Sequence, residues 1–597
     1  MRTNKPFALT ILLFVSVSIL AQKSSLSYTV KMDNPEWHFF HVSLACKGIK
    51  KDFIDFKMPV WTPGYYQKMD YAKNLQQMKA TDATGKELKW EKTGDNTWRV
   101  FSKNADAVNL SYEIKTERPF VATPYVDESR AYVLPAAVFL HVDKMINHPV
   151  QVTIVPDQKW SRVATGLDSI AGKKFTYSAA DFDILYDSPF LVGNLEELPP
   201  FYVRGVKHRF IGYKLGDFDK EQFIVDLKRI IDAAINVIGH IPYKSYTFIG
   251  IGPGPGGIEH LNNTTFGFNG TNFKNRESYI RTLHFLAHEY FHHYNVKRIR
   301  PIELGPFDYD KGNRTKMLWI SEGLSVYYEY MVVRRAGVST DAELLNAFRG
   351  NIVAFENKPG KKYQTLEQAS YETWSDGPFG RTGDEVNKTI SYYDKGPAVG
   401  LLFDFKIRQA TNNKRSLDDV MRYLYKEYYQ KQKRGFNEEE LKAAFENVAG
   451  VSLAEEYEYV TTTKDLDYPK YFTYAGLKID TTTKILGTAY AGFTLREKED
   501  SVFISAADYE SPAWNAGLRR GQLVLKINGE KASSDLLNKT ITAARPGDKF
   551  SLILYINNET KNVDFILDRK KDRPFIIATI GDPDPLQKQI LESWLKG

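Results

Sequence analysis

A chain of 597 residues with 43% hydrophobic and 26% charged residues has the make-up of several folded domains, which excludes a disordered or low-complexity protein. Its formal charge of +7, to which Arg2 and Lys5 of the N-terminal segment contribute, is too small to imply nucleic-acid binding. The single cysteine, Cys46, excludes an intrachain disulfide framework.

Residues 1–21 read as a secretory signal peptide: Arg2 and Lys5, an apolar run from Phe7 to Leu20, then Ala21. The run is short for a span of about 20 residues and contains Thr10, Ser16 and Ser18. A cleaved leader, a periplasmic or secreted mature protein and no stable membrane span are expected. From 22 to about 180, short alternating runs (Tyr28 to Met32, His38 to Ala45, Trp98 to Phe101, Val108 to Ile114, Val150 to Val155) predict a β-sandwich domain. Two prolines and a glycine make Met58 to Tyr66, MPVWTPGYY, a loop.

A second domain, 181–465, opens with an amphipathic helix from Glu221 to His240, whose stripe is Phe223, Leu227, Ile230, Ile231, Ala234 and Ile238. Tyr246 to Ile251 is strand-like and runs through Gly252-Pro253-Gly254-Pro255-Gly256-Gly257 into Ile258-Glu259-His260. The run Leu283 to Arg300, LHFLAHEYFHHYNVKRIR, then sets His288 and His292 four apart with Glu289 beside the first. On a helix such residues share a face, so both imidazoles can reach one Zn²⁺ while Glu289 serves as general base for the attacking water. The neighbouring His284 and His293 read as structural. Asn275 or Ser278 caps the predicted helix, which meets no Gly or Pro before Arg300.

A catalytic zinc keeps three protein ligands and an open position, so a third ligand is needed. Glu322, in Leu318-Trp319-Ile320-Ser321-Glu322-Gly323, is the candidate; it opens a helical segment reaching about Ala336. Asp341 to about Val460 is mostly helical, with starts at Ser416 and Asn437, and contains Tyr392-Tyr393-Asp394-Lys395-Gly396. Strands return from about Tyr474. Within 466–572, Ser511 to Leu518 followed by Gly521 to Gly529 resembles a bacterial PDZ domain, with Gln522 where an Asp is usual. Leu486 to Ala489 is the candidate carboxylate-binding loop, and 573–597 is a tail with a short helix carrying Ile590, Leu591, Trp594 and Leu595.

Together, GGIEH (Gly256 to His260), HEYFHHYNVKRIRP (His288 to Pro301) and LWISEG (Leu318 to Gly323) resemble the gluzincin metallopeptidases, and more narrowly the glycyl aminopeptidase family with a C-terminal PDZ domain. The resemblance implies a multidomain α+β protein: a β-sandwich, a thermolysin-like, mostly α catalytic domain, and a PDZ domain. It implies zinc on His288, His292 and Glu322, with Glu289 as base. Glu259, after Gly256 and Gly257 on an edge strand, would bind the substrate's free α-amino group. Tyr393, matched to a Tyr-x-Lys-Gly pattern, would donate to the oxyanion, with Tyr392 its near competitor. The family's MPxWxPGxY loop would approach the active site. Implied too are a preference for N-terminal glycine, then alanine, peptide substrates, and a peptide or C-terminal ligand at the PDZ domain. The alternatives are a zinc endopeptidase, in which Glu259 is structural, and a PDZ-based peptide-binding protein with an inactive peptidase domain. Retention of all three ligands, the base and the tyrosine argues against the second.

Overall fold

The computed structural model describes residues 24–273, 275–377, 381 and 383–597; the predicted leader, 1–21, lies outside them. In β1 (Ser25–Lys31) every second side chain, Leu26, Tyr28 and Val30, is buried, and β2 (Phe39–Lys47) repeats the alternation with Phe40, Val42, Leu44 and Cys46. This period of two fixes one face of a sheet inward. With β3 (Leu75–Thr81), β4 (Ala107–Lys115), β5 (Val150–Val155), β6 (Asp168–Ser169) and β7 (Thr176–Ala179), the sheet runs β6-β7-β5-β1-β2-β4-β3. Two four-stranded sheets share its core, which also takes in Ile211, Ile249, Ile251, Ile258 and Tyr309 from farther along the chain. Cys46 is buried there, and burial pushes its thiol up to about 12.

The second core is built on another sheet. β8 (Val206–Gly212), β9 (Ser245–Gly250) and β11 (Asn263–Phe266) run parallel, and β10 (Gly257–Glu259) adds to β11 antiparallel at the edge. α1 (Lys220–Ile238) buries the predicted stripe; the Asp219 carboxylate caps its start, and Gly239 ends it at φ 81°. α2 (Arg276–Phe291) is capped by Asn275, whose Oδ1 accepts from Ser278 N at 2.8 Å. It stops at Phe291 although neither Gly nor Pro follows before Arg300. The stop is tertiary: Asn295 turns back to donate to the carbonyls of Ile320 (2.8 Å) and Ser321 (3.2 Å), and Val296 takes φ 128°.

α3 (Leu324–Arg335) is preceded by one wide π turn, Trp319–Gly323, and α4 (Tyr392–Ala410) crosses it closely. A Cβ on Gly323 would stand 2.7 Å from Gly396 Cα, so both glycines are required by the approach of two backbones. α5 (Leu417–Leu424) follows. The PDZ region has its own small core. Its Leu486 to Ala489 segment is not a loop: it lies inside β12 (Lys484–Tyr490), paired with Asp568–Asp572, and Ala491-Gly492 instead forms the turn into the edge strand β13 (Phe493–Lys498). α6 (Ser534–Ala543) belongs to the same unit. The chain then rejoins the catalytic core. Ile576–Thr579 pairs with Leu477–Asp480, and α7 (Pro585–Lys596) buries Ile590 and Trp594, the indole N–H donating to Tyr327 at 3.1 Å. Among the described residues no helix is long and apolar enough to cross a membrane.

Candidate active site

The last turns of α2 present His288, Glu289 and His292 to a cleft, and the π turn before α3 brings Glu322 to the same point. A π turn carries one residue more than an α turn, which rotates the next side chain onto a new face, and such turns cluster at functional sites. The three candidate ligands converge: His288 Nε2 to His292 Nε2 is 2.9 Å, and Glu322 Oε2 lies 3.3 Å from His292 Nε2 and 3.6 Å from His288 Nε2. Ligand atoms about 2.0–2.1 Å from a tetrahedral zinc stand about 3.3 Å apart, which these separations bracket.

The outer ring nitrogens decide whether the set can hold a cation. His292 Nδ1 lies 2.8 Å from the Asn295 carbonyl, and His288 Nδ1 lies 2.9 Å from Glu329 Oε2. The Asn295 carbonyl accepts from His292 Nδ1, which leaves His292 Nε2 with a lone pair. His288 Nδ1 makes no hydrogen bond, but the Glu329 carboxylate beside it favours the proton on that nitrogen and so a lone pair on Nε2. Two lone pairs and a carboxylate within this distance repel one another unless a cation lies between them, so the donor set fits Zn²⁺. All three ligand residues are buried. Against the burial that would raise it, His292 and His288 hold the Glu322 carboxyl well below the usual carboxylate range.

Glu289 is 4% exposed and faces Gly257: a Cβ there would meet Glu289 Oε1 at 2.2 Å, so only glycine lets β10 pass this close. Thr264 donates to Glu289 Oε2 at 3.3 Å. Burial pushes the Glu289 carboxyl up to about 7, with His288 and His292 opposing; a bound dication would lower it again. Glu259, two residues along β10, is 3% exposed, and its Oε1 has no hydrogen-bond partner among the described residues. An unmatched buried carboxylate oxygen is costly and calls for a cationic or N–H partner. Gly64 packs on the other oxygen; a Cβ there would come within 2.8 Å of Glu259 Oε2.

The cleft is a cavity of about 650 Å³ lined by Gly256, Gly257, His288, Glu289, Tyr392 and Tyr393 from the catalytic core and by Gly64 to Gln67 and Phe120 from the N-terminal domain. Tyr393 is half-buried, its ring 6.2 Å from that of His288. Tyr392 is 1% exposed, with its hydroxyl 3.1 Å from Thr373 Oγ1. The Met58 to Tyr66 loop does reach the site, where Gly64 to Tyr66 line the cleft. Of the eight residues singled out in the sequence, Gly256, Gly257, His288, Glu289 and Tyr393 line the cleft, His292 and Glu322 converge on His288 behind it, and Glu259 packs on the lining residue Gly64. Sequence reasoning missed Glu329, Asn295 and Thr264. Glu329 stands seven positions after Glu322, two turns along the same helix face, and that spacing was its one available signal.

A buried His–His–Glu set beside a further carboxylate, on a helix closing a cleft at a sheet edge, is the architecture of a zinc peptidase. Residues 281–399 match the model of the M61 glycyl aminopeptidases, residues 27–194 the Peptidase M61 N-terminal domain, and residues 503–554 a PDZ domain. The chain therefore carries regions matching the two M61 models and a PDZ domain, and is a zinc aminopeptidase. A crystal structure of an aminopeptidase N family protein from Idiomarina loihiensis has the same fold, with a TM-score of 0.87 at 20% identity over 96% of this chain and 100% of that one. An M1 zinc metallopeptidase from Deinococcus radiodurans aligns at 14% identity and a TM-score of 0.46, over 75% of this chain and 95% of that one. No curated protein matches the chain.

Proposed function

We propose that this enzyme removes single N-terminal residues, glycine first and alanine next, from peptides outside the cytoplasm. The observation that carries the aminopeptidase reading is the unpartnered Glu259 Oε1, buried on the edge strand two residues beyond Gly257, on which Glu289 packs. In this reading His288, His292 and Glu322 hold Zn²⁺, which when bound supplies Lewis-acid polarisation of the scissile carbonyl and acidifies the attacking water. Glu289 takes that water's proton and returns it to the leaving nitrogen. The peptide's first residue lies along β10, where Gly256 and Gly257 line the cleft and the strand's approach to Glu289 sets the peptide close to the base. Glu259 faces its ammonium, which places the first peptide bond, and no later one, at the base. Tyr393 donates its hydroxyl to the developing oxyanion.

The exported location rests on the leader-like composition of residues 1–21, and the preference for glycine and alanine rests on the family resemblance. At the PDZ region the exposed edge of β13 suits an added peptide strand, so recruitment of extended peptides or C-termini is proposed there. The test is a panel of glycyl, alanyl, leucyl and arginyl substrates, each free and N-acetylated. Cleavage confined to free amines and fastest for glycine supports the reading. Equal turnover of acetylated peptides would transfer the site to an endopeptidase.

A further inference from the structure

We infer that a basic cavity at the far end of α3, remote from the peptidase cleft, binds a small oxyanion through Arg335. The Arg335 side chain is 6% exposed, and its Nη1 donates to Asp418 Oδ2 at 2.8 Å. Its Nε and Nη2 have no acceptor among the described residues. Those two nitrogens form one edge of the guanidinium, the edge that grips two oxygens at once. The same chain shows this edge filled elsewhere: Arg99 holds Asp55 with Nε and Nη2 both at 2.8 Å, and Arg276 holds Glu343 at 2.6 and 2.9 Å. At Arg335 the fork is open.

The open fork has room before it. Arg335 lines two adjoining cavities of about 460 and about 380 Å³ that also share Ala233 and Asn236 of α1. The second is lined in addition by Arg408, Lys414, Arg415, Arg422 and Lys596, against the carboxylates of Asp418 and Asp419. Both acids are already engaged. Asp418 takes Arg335 Nη1 and the Tyr328 hydroxyl, and Asp419 takes Arg415, Arg422 and the Ser416 backbone N–H. Arg408 is held by the buried Asp404 at 3.0 Å, Lys596 lies 3.8 Å from Glu592, and Gly597 packs against the Arg335 stem, so what stays unmatched is the Arg335 edge itself. A buried guanidinium edge with no acceptor carries an uncompensated desolvation cost that a bound anion would relieve. Phosphate and carboxylate both offer the pair of oxygens that this edge matches.

The test is isothermal titration of the zinc-loaded full chain at fixed ionic strength with inorganic phosphate and, separately, glutarate. Saturable binding of either is expected, and which one binds more tightly identifies the phosphoryl or carboxylate source. Arg335→Lys keeps a charge on Asp418 but loses the fork, and Lys414→Glu reverses a charge at the exposed rim without touching the core. Each should weaken binding by roughly tenfold or more while turnover of a glycyl substrate stays at the wild-type level. The Lys414 variant keeps the test valid if Arg335→Lys folds poorly. Absence of saturable binding at millimolar concentrations of both anions, or binding that neither variant weakens, would overturn the assignment.

Discussion

Glu259→Gln separates an aminopeptidase from an endopeptidase on the same zinc site. The change keeps the side chain's shape and removes only its charge, at a position 3% exposed whose Oε1 is otherwise unmatched. Truncating one partner of a buried, hydrogen-bonded charge pair costs about 2–5 kcal/mol. Taking about 3 kcal/mol, and 1.36 kcal/mol per factor of ten, kcat/KM for a free glycyl substrate should fall about 150-fold, mainly through KM. An N-acetylated substrate never forms this pair, so its kcat/KM should barely change. The preference for the free amine should then shrink by the same factor. The assay is steady-state kinetics on matched free and acetylated glycyl substrates, with zinc content measured on each preparation. An unchanged ratio in the variant would refute the amine-anchor role and leave Glu259 a structural carboxylate.

Glu289→Gln should retain zinc and lower kcat by about 10²- to 10⁴-fold, because the amide cannot accept the water's proton; near-normal turnover would remove Glu289 as the base. Tyr393→Phe should lower kcat by about 10²- to 10³-fold with zinc retained. Tyr392→Phe should cost far less, since its buried hydroxyl is already committed to Thr373; the reverse order would exchange their roles. Glu329→Gln should weaken zinc binding by about 10- to 100-fold through the orientation of His288. A competition titration with a zinc chelator reads this directly, and an unchanged affinity would show that the 2.9 Å contact does not orient the ligand.

The metal-binding helix was legible because HExxH depends on local spacing alone, and a helix turns that spacing into a shared face. Glu322 was legible only together with its surrounding letters, since it stands thirty positions beyond His292 and no local rule spans that interval. The end of α2 was not legible: Asn295 stops the helix by bonding to Ile320 and Ser321, and a tertiary stop leaves no Gly or Pro behind. Gly64 and Tyr66, which reach the cleft from the N-terminal segment, were legible only through the resemblance of their loop, since they stand at a distance in sequence over which periodicity says nothing. In the PDZ region the Leu-Gly-Thr-Ala letters suggested a loop, whereas pairing of Ile485 and Ala489 with Lys571 and Arg569 on either side makes Leu486 to Thr488 a bulge within a strand. A glycine in a short apolar run fits either state until its neighbour is known.

The most direct measurement is zinc stoichiometry followed through chelation and reconstitution, with glycyl-substrate turnover read on the same samples. About one zinc per chain is expected, lost together with activity on chelation and restored together with it by stoichiometric Zn²⁺, while His288→Ala retains neither. Full turnover in metal-free enzyme, or in a His288→Ala variant without zinc, would contradict a zinc peptidase built on His288, His292 and Glu322.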